Sequence, residues 1–127
     1  MRVLLIDENE FVLETFLTLA RFCHPEWQVR CALGHDLGFV MANEFMPHVI
    51  CADIGRMPKP GLAFGRQIRQ NATLKNVFLI AITGWSDAHT HDEIDTAGFD
   101  VRLIKPVGYQ LFTQHIHAFA VTRSLSM

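Results

Sequence analysis

Four short apolar runs in this chain each stop at a polar residue capable of chemistry, and that recurrence restricts the fold more than any other feature. Val3-Leu4-Leu5-Ile6 runs into Asp7-Glu8, and His48-Val49-Ile50-Cys51-Ala52 into Asp53. Phe78-Leu79-Ile80-Ala81-Ile82 ends in Thr83-Gly84, and Val101-Arg102-Leu103-Ile104 in Lys105-Pro106. Short runs of this kind, apolar on both sides, are the mark of strands covered by helices on both faces of a parallel sheet. Parallel strands all end at one edge, so acids, a hydroxyl and an ammonium would gather there. In open α/β sheets ligands bind outside the carboxyl ends of the strands, at a topological switch point, which makes that edge the candidate site.

Between the runs the apolar residues recur with helical spacing, and the whole reads as alternating strand and helix. The pattern predicts strands over 2–7, 28–32, 48–53, 77–83 and 100–104, and helices over about 9–23, 36–44, 61–70, 87–97 and 109–122. Pro25, Gly34, Pro47, Pro58, Pro60, Gly61, Gly84, Gly98 and Pro106 all fall between these elements as punctuation. The first helix is expected to pack through a broad face of Val12, Leu13, Phe16, Leu17, Leu19 and Ala20, and the last through Leu111, Phe112, Ile116, Phe119 and Ala120. Met41, Phe45 and Met46 read as core.

A chain of 127 residues is close to the commonest domain size, and one domain over 1–127 is expected. Half of the residues are hydrophobic, rich for a soluble protein but suited to a doubly covered parallel sheet. No apolar run approaches the roughly 20 residues of a membrane span. The first apolar segment is too short for a secretory signal and has no small-residue cleavage site, so a cytoplasmic location is expected. With 11 basic and 13 acidic residues and no basic block, direct nucleic-acid binding is not expected. Cys23, Cys31 and Cys51 lie in or beside apolar segments without the close pairing of a zinc site, and read as buried reduced thiols.

Asp7-Glu8, Asp53, Thr83-Gly84 and Lys105-Pro106, each after its strand and in that order, resemble the receiver domain of two-component response regulators. The phrases Asp53-Ile54-Gly55, Ile82-Thr83-Gly84-Trp85 and Ala97-Gly98-Phe99-Asp100 add to the resemblance, which covers essentially the whole chain. It implies a doubly wound, flavodoxin-like (βα)5 sandwich of three layers with a parallel sheet of order 2-1-3-4-5. It makes Asp53 the phosphoacceptor. Glu8, Asp53 and the backbone carbonyl of Gly55 match direct ligands of Mg²⁺ or Mn²⁺, and Asp7 matches an acid that holds the ion through water. Lys105 and Thr83 match the catalytic groups that bind phosphoryl oxygens. Thr83, Gly84, Trp85 and Arg102 match switch positions, and the Lys105-Pro106 bond is expected to be cis. The implied partners are a histidine kinase or histidine phosphotransfer protein, an unidentified downstream protein, and a second copy through the face of the fourth helix, fifth strand and fifth helix. No membrane contact is implied, and no enzymatic activity beyond self-phosphotransfer and autodephosphorylation.

The chain departs from the family pattern at several points. Glu8 stands where Asp is frequent, Arg56-Met57-Pro58 displaces the usual Met-Pro by one residue, and Pro60 replaces a frequent Asp. Arg102 takes the place of the switching aromatic, three residues before the lysine. These departures leave open a pseudo-receiver that binds partners without phosphorylation. A receiver segment of a hybrid histidine kinase is the other alternative, although Met1 just before the first strand and the short tail after the last helix favour an independent protein. A dehalogenase-type phosphatase is disfavoured because Asp53-Ile54-Gly55 lacks that family's second Asp. Arg56 is expected to point into water. His89 and His91, two apart on a helix start, read as an exposed polar face and not a metal site. Trp85 fits a partner surface or a cover for the fourth helix equally well.

Overall fold

The computed structural model describes residues 1–122. In chain order the elements are β1 (Arg2–Asp7), α1 (Glu10–Cys23), β2 (Gln28–Leu33), α2 (His35–Phe45), β3 (Val49–Asp53), α3 (Pro58–Gln70), β4 (Phe78–Thr83), α4 (Ala88–Thr96), β5 (Val101–Ile104) and α5 (Tyr109–Thr122). The strands pair in parallel in the order β2-β1-β3-β4-β5. The tail after α5, at 123–127, lies outside the described residues. Among the described residues no helix is long and apolar enough to cross a membrane.

Strand periodicity divides the core in two. Leu4 and Ile6 of β1, Ile50 and Ala52 of β3, and Leu79 and Ala81 of β4 face one layer, with Ala42, Phe45, Leu62, Phe64, Ile68 and Ile94 from α2, α3 and α4. Val3, Leu5, Val49, Cys51 and Ile80 face the other, with Leu13 of α1 and Phe112, Ile116 and Phe119 of α5. Successive side chains point to opposite faces of a sheet, so Asp7 and Asp53 continue the second set, on the α1 and α5 side. The pairing of Ile6 with Ala52 then brings the two acids level at the sheet edge.

Several expectations are corrected. α3 begins at Pro58, so Pro58, Pro60 and Gly61 lie inside its first turns and not between elements. Proline is tolerated there because the first-turn N–H groups have no helical acceptor. Gly61 is needed because a Cβ would stand 3.0 Å from Ile54 Cα and 3.1 Å from its carbonyl oxygen. α1 buries a narrow stripe, Leu13 and Ala20 with Phe16 half-buried, while Val12 and Leu19 are each 36% exposed. One sheet face can cover only residues three and four apart. For the same reason Leu111 of α5 is exposed. Met46 is partly exposed in a left-handed cap, whereas Phe45 is buried and Met41 packs against the core. The cysteines are free but unequally placed: Cys51 is buried, Cys31 half-buried and Cys23 exposed.

Candidate functional site

Each of the four strand ends delivers its polar group to one edge. Asp53 closes β3 as a nearly buried carboxylate, and Lys105 Nζ stands 2.7 Å from its Oδ1. That oxygen is buried and accepts no well-aligned hydrogen bond, so the ammonium is its close partner. The arrangement follows from backbone pairing: Ile54 N–H donates to Ile82 O and Lys105 N–H to Thr83 O, both at 2.8 Å, which locks the ends of β3, β4 and β5 together. The Lys105-Pro106 bond is cis. Thr83 is fully buried, and its Oγ1 accepts from the Trp85 N–H at 3.0 Å.

Asp7 is also buried, with Oδ1 accepting from the Asn9 N–H at 2.8 Å. Its pKa is raised, chiefly because burial strips water from the charged form, against the Asn9 hydrogen bond and with the Asp53 charge adding to the rise. Protonation therefore stabilises the folded chain. The stability lost by ionising Asp7 grows as pH rises from the unfolded to the folded pKa, and the full penalty persists above it. Asp7→Asn keeps the acceptor for Asn9 and removes the charge. In the presence of EDTA its Tm should exceed that of the wild type by a few degrees at pH 7, with the difference shrinking towards pH 4. Thermal melts at the two pH values check this, and an equal or lower Tm at pH 7 would show that the Asp7 charge costs nothing.

Glu8 is exposed at the rim, and Gly55 follows with a φ of +83° beside the Asp53 carboxylate. Asp7, Glu8, Asp53 and the Gly55 carbonyl present oxygen alone, the donor type that suits a hard divalent cation. Among the described residues no three His, Cys, Asp or Glu side chains are grouped closely enough to hold a metal by themselves. An ion here would draw on few protein oxygens and on water, as Mg²⁺ ordinarily does. Two adjoining depressions open over Asp53. One, of about 370 Å³, is lined by His35, Gly34, Arg56 and Pro60, and the wider one by Asn9, Phe11, Met57, Gly84, Trp85 and Lys105.

Sequence reasoning missed one member, His35, and one contact, made by Trp85, which was expected only as a switch position. His35, at the start of α2, reaches across β1 to donate from Nε2–H to the Asp53 carbonyl at 2.8 Å, which requires the Nε2–H form of the ring. Its signal was available: a polar residue just past a strand end, as for the other four. Trp85 turns its indole onto the Gly55 carbonyl, with Nε1 at 3.3 Å. The readings of Trp85 as a partner surface or a helix cover both missed that contact. Arg102 does not join the site. It lies on β5 with Nε 2.9 Å from Asp95 Oδ1 of α4. Arg56 is exposed. His89 is exposed and pairs with Glu93, while His91 Nε2 lies 2.8 Å from the Trp85 carbonyl.

The sequence matches no protein-family model and no curated protein sequence. Solved structures match throughout. The signal receiver domain of a DNA-binding response regulator from Colwellia psychrerythraea 34H superposes with a TM-score of 0.85 at 17% identity, over 94% of this chain and 98% of that one. The chemotaxis response regulator CheY4 of Vibrio cholerae gives 0.82 at 16%, over 93% and 97%. A response-regulator receiver domain from Bermanella marisrubri gives 0.81 at 23%, over 94% and 97%. Together with the strand order, these superpositions establish that the chain has the CheY-like (βα)5 fold seen in response-regulator receiver domains, with Asp7, Asp53, Thr83 and Lys105 gathered at one edge of its sheet.

Proposed function

We propose that the chain is a phosphoacceptor receiver that takes a phosphoryl group onto Asp53 from a histidine kinase, a histidine phosphotransfer protein or a small acyl phosphate. The observation that carries the reading is the Lys105 ammonium 2.7 Å from the Asp53 carboxylate, at the strand edge where Asp7 and Thr83 also end. A carboxylate oxygen of Asp53 attacks phosphorus as the bond from phosphorus to the donor nitrogen or oxygen breaks. The leaving group carries away the bond's electron pair. Lys105 is placed to follow the charge from the carboxylate to a phosphoryl oxygen, as a mobile point charge does. The Thr83 hydroxyl would turn from Trp85 to donate to another phosphoryl oxygen. His35 holds the Asp53 backbone, so that the nucleophile keeps its position. Glu8, Asp53 and the Gly55 carbonyl, with Asp7 through water, would hold Mg²⁺ or Mn²⁺, which when bound offsets repulsion between the carboxylate and the incoming phosphoryl group.

Incubation with acetyl phosphate and Mg²⁺ should raise the intact mass by one phosphoryl group, and EDTA should prevent it. No gain with Mg²⁺ present would overturn the reading in favour of a phosphorylation-independent binding module. One observation favours that second reading: the switch position holds Arg102 in an ion pair with Asp95, where an aromatic could bury its ring. A guanidinium stays hydrated and can only exchange partners. Output would then depend on charge at the face of α4, β5 and α5, where a downstream protein or a second copy would dock. Arg102→Ala should leave labelling of Asp53 near the wild-type level and cost less than about 1 kcal/mol of stability, since exposed ion pairs contribute little. Phosphorylation-dependent dimerisation, followed by light scattering on the same preparation, should weaken. Loss of labelling would instead assign Arg102 to the acceptor site.

A further inference from the structure

Trp85 sits where the β4–α4 loop passes the phosphoacceptor, 39% exposed, and each of its polar backbone and side-chain atoms is engaged. Nε1–H donates to the Gly55 carbonyl at 3.3 Å, the backbone N–H donates to Thr83 Oγ1 at 3.0 Å, and the backbone carbonyl accepts from His91 Nε2 at 2.8 Å. Gly55 stands beside the carboxylate, with its Cβ position 3.9 Å from Asp53 Oδ2. The carbonyl that would serve a divalent cation thus already has a donor.

We propose that Trp85 is an internal competitor for the cation, its indole and the ion excluding one another at the Gly55 carbonyl. This rests on reading the site as a cation-dependent phosphoacceptor. A positively polarised N–H and a divalent ion repel when aimed at one oxygen, and Trp85 lines the same depression that the ion's water shell would need. Cation loading therefore releases the ring. Because the Trp85 amide and carbonyl are tied to Thr83 and His91, release is passed to the Thr83 hydroxyl and to the first turn of α4. Loading by itself would move the loop that phosphorylation is expected to use.

The test uses Mn²⁺ as probe, with its affinity measured by electron paramagnetic resonance on the full chain as wild type, Trp85→Phe, Trp85→Leu and Glu8→Gln/Asp53→Asn. Both Trp85 variants lose the N–H and should bind Mn²⁺ on the order of three- to tenfold more tightly, the factor that one net hydrogen bond contributes. Saturating Mg²⁺ should shift wild-type tryptophan emission to longer wavelength, Trp27 being buried and placed just before the start of β2, at the other end of the strands from the site. If the acidic double variant loses Mn²⁺ binding while both Trp85 variants bind no better than wild type, competition is overturned and the site reading stands. If the double variant binds as wild type does, the site reading fails and the inference with it.

Discussion

Asp53→Asn should abolish acyl-phosphate labelling while leaving the fold intact. The carboxylate is the attacking group and an amide oxygen has neither its charge nor its basicity. The fold should survive because Lys105 is 45% exposed and can turn into water when its partner is lost, so no charge is stranded in the interior. Asp53 also adds to the raised pKa of Asp7, and removing its charge eases that neighbour. Intact mass after acetyl phosphate and Mg²⁺, with a thermal melt on the same sample, separates chemistry from folding. Wild-type labelling of the variant would move the acceptor to Asp7 or Glu8 and dismiss Asp53.

Arg69→Met should be the most damaging single change to stability among the surface charges, at the edge of the sheet opposite the site. The guanidinium donates from Nε to Gly98 O at 2.7 Å, from one terminal nitrogen to Lys75 O at 2.9 Å and Val77 O at 2.7 Å, and from the other to Asp100 Oδ2 at 2.7 Å. The same Asp100 oxygen accepts the Leu79 N–H at 2.9 Å. One side chain thus ties the end of α3 to the start of β4 and to the turn before β5. Loss of these charge-assisted bonds should cost about 2–3 kcal/mol, part of it recovered by water at the exposed end. The matching fall in Tm is on the order of 10 °C. Arg69→Lys should not restore it, because an ammonium cannot serve four acceptors spread around a planar fork. Denaturant melts measure the loss, and a cost under about 0.5 kcal/mol, typical of an ordinary surface substitution, would refute the role. Labelling of Asp53 per folded molecule should be unchanged in both variants.

The strand order was legible only through the resemblance, whereas the site edge was legible in the residues themselves, because it depends on local patterns. Apolar runs at Val3–Ile6 and Val49–Ala52 can be buried only as covered strands, and parallel strands must finish at one edge. The parity that puts Asp7 and Asp53 on the same face is likewise written in the alternation of side chains. Proline misled the reading of α3 because it marks a break and a helix start alike, and only packing of Gly61 on Ile54 decides between them. The width of the α1 face was overread, since composition counts apolar residues without saying how much of a helix one sheet face can cover.

What the sequence by itself determined is which chemical groups reach the site: they sit at strand ends, and backbone direction alone carries Asp7, Asp53, Thr83 and Lys105 there. What only the tertiary structure decided is how long, flexible side chains are spent once there. Lys105 could have pointed into water, Trp85 over α4 and His35 to solvent. Their partners, the Asp53 carboxylate, the Gly55 carbonyl and the Asp53 backbone, come from elements 18 to 52 positions away in sequence, and distances between separate elements are set by packing of the layers and not by local spacing.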